Sequence, residues 1–123
     1  MCHNFKRLDL RYFLKSEDIH DIAKLSDYYE NNEDRQFSFH LKNTAKGNYI
    51  VKTHSVSEAD GNIYKEWSRM GLPRQLSNSE LEYLKNISVP GIQIIQCEVE
   101  NNTLSINTVL TPQEIQYIHI SLL

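Results

Sequence analysis

Tyr64-Lys65-Glu66-Trp67-Ser68-Arg69-Met70-Gly71-Leu72-Pro73, followed by Ser77 to Leu84 and then by Ser88-Val89-Pro90, is the stretch on which the reading of this chain turns. Ile63, Trp67 and Met70 fall on one helical face. Gly71 suits a helix C-terminus, since it lacks a Cβ, and Pro73 blocks continuation. Ser77 opens a second helix. Its hydroxyl can accept from the Glu80 amide while the Glu80 carboxylate returns to the Ser77 amide, a capping box. Leu81, Leu84 and Lys85 carry that helix on until Pro90-Gly91. The expectation is a helix, a tight break and a second helix, set between strand-like segments.

Outward from this unit, the pattern changes to a period of two. Arg35 to Leu41 alternates, with Phe37, Phe39 and Leu41 on one face. Lys42 to Asn48 is turn chemistry. Tyr49 to Val56 is rich in β-branched residues and is expected to close a hairpin with the strand before it. Ile92 to Glu100 places Ile95, Cys97 and Val99 on one face. Asn101-Asn102 supplies a tight turn, because Asn tolerates positive φ. Thr103 to Leu110 is expected to pair back, with Leu104, Ile106 and Leu110 inward. After the turn Thr111 to Glu114, Ile115 to Leu122 is the last strand, with Ile118, Ile120 and Leu122 on one face. Residues 2–8 alternate weakly as an edge strand that starts abruptly. Residues 16–30 carry Ile19, Ile22, Ala23 and Leu25 at helical spacing. About six strands interrupted once by a helix pair predict a mainly β fold, an antiparallel β-sandwich with an inserted helix-loop-helix.

The chain has 123 residues, enough for one domain with a real core. Its net charge is −3, with 40% apolar and 24% charged residues, as in an ordinary globular protein. Lys and Arg form no large cluster, so the footprint of nucleic-acid binding is missing. The densest charge run, Glu30 to Arg35, is mostly acidic and reads as a solvated loop. No apolar stretch approaches membrane-spanning length, and the N-terminus lacks a leader pattern. Cys2 and Cys97 are the two cysteines, and they read as free thiols of a reducing compartment. The expected localisation is cytoplasmic.

Motifs with resident chemistry are missing. There is no Gly-rich phosphate loop, no Gly-x-Ser-x-Gly elbow, no His-Glu-x-x-His and no Cys-x-x-Cys, so no cofactor is expected. A glycosidase needs two carboxylates held across a sugar ring. Glu58, Glu66, Glu98 and Glu114 are available, but all fall at expected element ends or on expected exposed faces. The five histidines lack the short spacings of metal ligands. Only a convergence of His40, His54 and His119 from distant strands would build a metal site, and surface or core histidines are the simpler reading. Trp67 could offer a sugar a stacking platform. The stripe it shares with Ile63 and Met70 instead favours an anchor for the helix pair. No catalytic, cofactor-binding or metal residue is therefore assigned.

The motif Tyr-x-x-Trp-x-x-Met-Gly-x-Pro, then Leu-Ser-x-x-x-x-x-Tyr-Leu, then Ser-x-Pro, resembles the β-sandwich that follows the catalytic barrel in family 39 glycoside hydrolases, the β-xylosidases and α-L-iduronidase relatives. The resemblance runs from about Phe5 to the C-terminus. Leu41-Lys42-Asn43 and Gly47-Asn48-Tyr49 match a family strand and turn. Leu110-Thr111-Pro112-Gln113-Glu114-Ile115 matches the closing Leu-x-Pro-His-Glu-Val, with Gln for His. Ser57-Glu58-Ala59 stands where the family has Asn-Arg-Glu. In the family both catalytic glutamates sit in the barrel, so no catalytic residue carries over to this chain. The resemblance implies strand and loop, not helix, over residues 16–30.

The same unit also closes some AraC-type transcription regulators of Gram-positive bacteria, often in degenerate form, and the lost Asn-Arg-Glu fits such a copy. The Asn-, Lys- and Ile-rich composition fits a low-GC bacterium. Two functions follow as expectations. One is a non-catalytic accessory domain, itself a fragment of a larger xylosidase-like protein, beside an upstream barrel. The other is the C-terminal domain of a regulator that senses a carbohydrate or mediates assembly. A carbohydrate-binding module is a third. The expected interface residues are Trp67, Met70, Leu72 and Pro73, and a dimer of the isolated chain through that surface is a corollary.

Overall fold

The structure is a computed structural model that describes residues 1–6, 29 and 31–123. The expectations for residues 16–30, and for the end of the first strand, lie outside the described residues apart from Tyr29. In chain order the elements are β1 (Cys2–His3), β2 (Arg35–Lys42), β3 (Gly47–Val56), α1 (Ile63–Arg69), α2 (Asn78–Ile87), β4 (Gly91–Val99), β5 (Thr103–Leu110) and β6 (Ile115–Leu122). The strands form two antiparallel sheets. One has the order β1-β6-β3-β4, and the other is the pair β2-β5. This is the expected sandwich-like, mainly β architecture with a helix pair inserted between β3 and β4.

Period-two alternation places the core. Tyr49, Val51 and Val99 from the four-stranded sheet meet Leu104 and Ile106 from the two-stranded one. Phe39, Cys97, Ile118 and Ile120 pack around them. Val51 and Leu110 are completely shielded from solvent. Removing each such side chain from water contributes about 1.5–3 kcal/mol. Among the residues expected on the apolar faces, Leu41 and Leu122 stay 42% and 54% exposed at the strand ends, and Ile95 departs too. It faces the same side as its cross-strand partner Val51 but stays 44% exposed. Its strand β4 is a sheet edge, and a two-stranded layer is too narrow to cover four strands spaced about 4.8 Å apart.

The expected strand partners are corrected. β3 does not form a hairpin with β2, and β5 does not pair back on β4. Instead β2 joins β5, while β3 lies between β4 and β6. The turns carry the residues that sequence suggested, with Asn43, Asn102 and Gln113 at φ 59°, 54° and 62°. Those residues serve a corner between layers as well as a hairpin. Burying apolar faces on both sheets decides in favour of the corner. Two corners are tied directly, since the Thr44 amide donates to the Asn102 carbonyl at 3.0 Å.

A third corner is locked by buried polar groups. Asn4, which is fully buried, exchanges backbone bonds with Gln113 and Glu114, both at 2.9 Å. Its side-chain nitrogen donates to the Leu110 carbonyl at 2.9 Å and to that of Glu33 at 3.1 Å. This fixes the N-terminus and β1 against the β5–β6 turn.

Candidate functional site

The helix pair forms as its sequence dictates. Asn62 caps α1 by accepting from the amides of Tyr64 and Lys65. At the other end the Gly71 amide donates to Ser68 and the Leu72 amide to Trp67. That is a Schellman closure, with Gly71 at φ 86° where a Cβ would be strained. Leu72 also sits at φ 54°, an unusual value for a leucine. Ser77 and Glu80 make both arms of the expected capping box. The hydrogen bonds from Ser77 hold the Glu80 carboxyl below its ordinary value.

The four expected interface residues come together around this break. Trp67 is half-buried, and its indole N–H donates to the Pro73 carbonyl at 3.2 Å, folding the turn under the helix. Met70 and Pro73 are half-buried, while Leu72 is 36% exposed. No residue of α1 is fully buried, and α2 sinks only Leu84. The two helices are clasped at the surface. Glu66 accepts from Arg69 at 2.9 Å and from the Tyr83 hydroxyl at 3.0 Å. The bond to Glu66 pushes the Tyr83 hydroxyl up from its usual value. Tyr64 lies edge-on to Trp67 and is largely exposed.

A cleft of about 760 Å³ runs beside α1. Its walls include Tyr29, Val56, Glu58, Tyr64, Lys65 and Arg69. Its cations have partners, Lys65 in Glu58 at 3.7 Å and Arg69 in Glu66 at 2.9 Å. The cleft therefore offers little unbalanced charge to a ligand. Ser57, in the segment that differs from the family pattern, turns inward on its own loop. Its hydroxyl accepts from the amides of Ala59 and Asp60 at 3.1 and 3.2 Å.

The remaining candidates are spread apart. Glu114 is not at an exposed position, as sequence suggested, but is buried. Its carboxylate accepts from the Thr111 amide and hydroxyl at 2.8 Å, and from the Gln116 side chain at 2.7 Å. It holds the β5–β6 corner instead of facing solvent. His40 lies on the outer face of β2, bonded to Ser105 at 2.9 Å. His54 and His119 lie on the outer face of the other sheet, where His54 stacks against Tyr117. The sandwich itself separates His40 from the other two. No group of three metal-ligating side chains occurs among the described residues. Cys2 and Cys97 are free, and burial pushes the Cys2 thiol up. Among the described residues no helix is long and apolar enough to cross a membrane. Sequence missed the Asn4–Glu114–Gln116 corner. Glu114 and Gln116 are neighbours in sequence, but Asn4 is distant, and only the fold brings it to them.

No family model matches the chain, and no curated protein does. Solved structures do. The chain is similar to a monomeric β-xylosidase from Caulobacter crescentus CB15, with TM-score 0.69 and 14% identity, over 99% of this chain and 23% of that one. It is also similar to the family 39 glycoside hydrolase (GH39) enzyme from Xanthomonas axonopodis pv. citri, with TM-score 0.62 and 14% identity, over 76% of this chain and 19% of that one. At this identity the likeness is one of fold. The chain spans about a fifth of the length of the enzymes it matches.

Proposed function

We propose that this chain is a non-catalytic accessory domain of a β-xylosidase-like, family 39 protein, and that it packs beside a catalytic barrel through the break between α1 and α2. The observation that carries this reading is the fold shared with less than a quarter of a β-xylosidase over nearly all of this chain. A domain of that kind contributes surface, not a reacting pair. The glutamates of this chain fit such a role. Glu58 and Glu66 are engaged with cations, and Glu114 is engaged with amides and a hydroxyl. The isolated chain should give only background hydrolysis of aryl xylosides. Turnover that disappears in Glu66→Gln or Glu114→Gln would overturn the reading.

A second reading rests on the Ser57-Glu58-Ala59 loop. Its hydroxyl and carboxylate are occupied locally, which fits a degenerate copy that has lost the Asn-Arg-Glu. It would then be the C-terminal domain of an AraC-type regulator, serving sugar sensing or assembly. A barrel with two glutamates at strand ends, encoded upstream, favours the enzyme. A helix-turn-helix pair further upstream favours the regulator.

A further inference from the structure

β4 is an edge strand that lacks the usual defences. Among the described residues its backbone is paired on one side only, with β3. It runs nine residues from Gly91 to Val99. From Ile92 to Gln96 every residue is exposed, on both faces of the sheet. Ile92 is 59% exposed, Ile94 57% and Ile95 44%. No acidic or basic side chain occurs between Gly91 and Gln96, and no proline interrupts the strand. Natural edges are blunted by charge, proline, bulges or brevity. The other edges of this molecule follow that rule. β1 has two residues, and β2 carries Arg35, His40 and Lys42. β5 turns its leucines and Ile106 inward, leaving Val109 as its exposed apolar side chain.

We infer that β4 is a self-association edge, where a second copy of this chain adds its own β4 in antiparallel register to make one continuous sheet. The unpaired amides and carbonyls select an extended strand as the occupant. The side chains select one whose exposed stretch is isoleucine-rich and uncharged, and β4 itself has that composition from Gly91 to Cys97, with Glu98 as its one charged residue. With the two-fold axis between Gln93 and Ile95, Glu98 never faces its own copy, so the two strands meet without like-charge repulsion. The pairing also tolerates register. In an antiparallel pair, residues facing the same side meet only when the two-fold axis passes through a residue. An axis at Gln93 brings Ile92 against Ile94 of the other copy. An axis at Ile94 or at Ile95 brings that isoleucine against itself. The first two choices cover isoleucine on the outer face of the sheet, and the third covers Ile95 on the inner face, where the narrow two-stranded layer leaves it open. This edge is separate from the α1–α2 break, so the inference does not depend on a barrel.

Sedimentation velocity of the 123-residue chain over a range of concentrations, with amide exchange of residues 91–99 at each, tests it. The expected result is a concentration-dependent dimer in which β4 amides slow on the order of tenfold or more as the dimer forms. Ile94→Lys should stay monomeric with unchanged circular dichroism, while Val109→Lys should dimerise as before. Should Ile94→Lys not fold, Ile94→Thr replaces it, and exchange in the unaltered chain decides by itself. A monomer at every concentration overturns the inference. So does protection of β4 that is independent of concentration, and so does a dimer that survives Ile94→Lys but is lost in Leu72→Asp.

Discussion

The Asn4–Glu114–Gln116 corner and the α1–α2 break are built from similar residue types for opposite ends. At the corner, an asparagine, a glutamate and a glutamine are buried; Asn4 bonds across the fold to the Leu110 carbonyl, while Glu114 accepts from the nearby Thr111 amide and Gln116 side chain. At the break, the bonds of Asn62, Ser77 and Glu80 are open to solvent and close within three residues. Burial removes the competing water, so a lost bond at the corner leaves a stranded group. Exposure lets water replace the partner at the break. The corner therefore holds the sandwich together, and the break is free to present a surface.

This difference can be broken by paired substitutions. Leu110→Ala, at the fully shielded end of β5, should cost about 2–5 kcal/mol in denaturant unfolding. Leu72→Ala in the break should cost no more than about 0.5 kcal/mol. Equal losses would erase the distinction. Glu114→Ala strands the Thr111 amide and the Gln116 side chain and should cost about 1–3 kcal/mol. Glu66→Ala, which removes a surface clasp, should cost about 0.5 kcal/mol by the same measurement.

Smaller effects sharpen the picture of the break. Trp67→Phe removes the bond to Pro73 while keeping the ring, a loss of about 1 kcal/mol. The expected sign is faster amide exchange at Gly71 and Leu72 with the sheets unaffected. Ser77→Ala should move the Glu80 carboxyl back toward its ordinary value in a titration followed by NMR. Because that carboxyl is held low, its support of α2 is present above the ordinary carboxylate range. It is lost as pH falls through the depressed value.

Sequence made local features legible. The capping box at Ser77, the glycine closure at Gly71 and the alternation in β2, β5 and β6 are all short-range consequences of residue type. Partnership was less legible. Asn43 and Asn102 announce turns, but a turn does not say whether the next strand returns to the same sheet or crosses to the other. Ile95 follows the inward pattern yet is exposed, because coverage depends on how many strands the opposite sheet has. Glu114 looked like a surface turn residue and is a buried clasp. For the strand partners and for Ile95 the deciding interaction is with residues distant in the chain; the bonds of Glu114 are local, and what sequence did not show is their burial. The family pattern around Trp67 compensated in part, since it pointed to the fold that the β-xylosidase structures share.

The central proposal is that the break between α1 and α2 is the surface through which this chain would dock on a catalytic barrel. Amide exchange measured on the isolated chain, and again with the chain joined to a family 39 catalytic barrel, tests this most directly. The account predicts added protection from Trp67 to Pro73, with the sandwich interior around Val51 and Leu110 unchanged. Identical exchange across Trp67 to Pro73 in the two forms would contradict it.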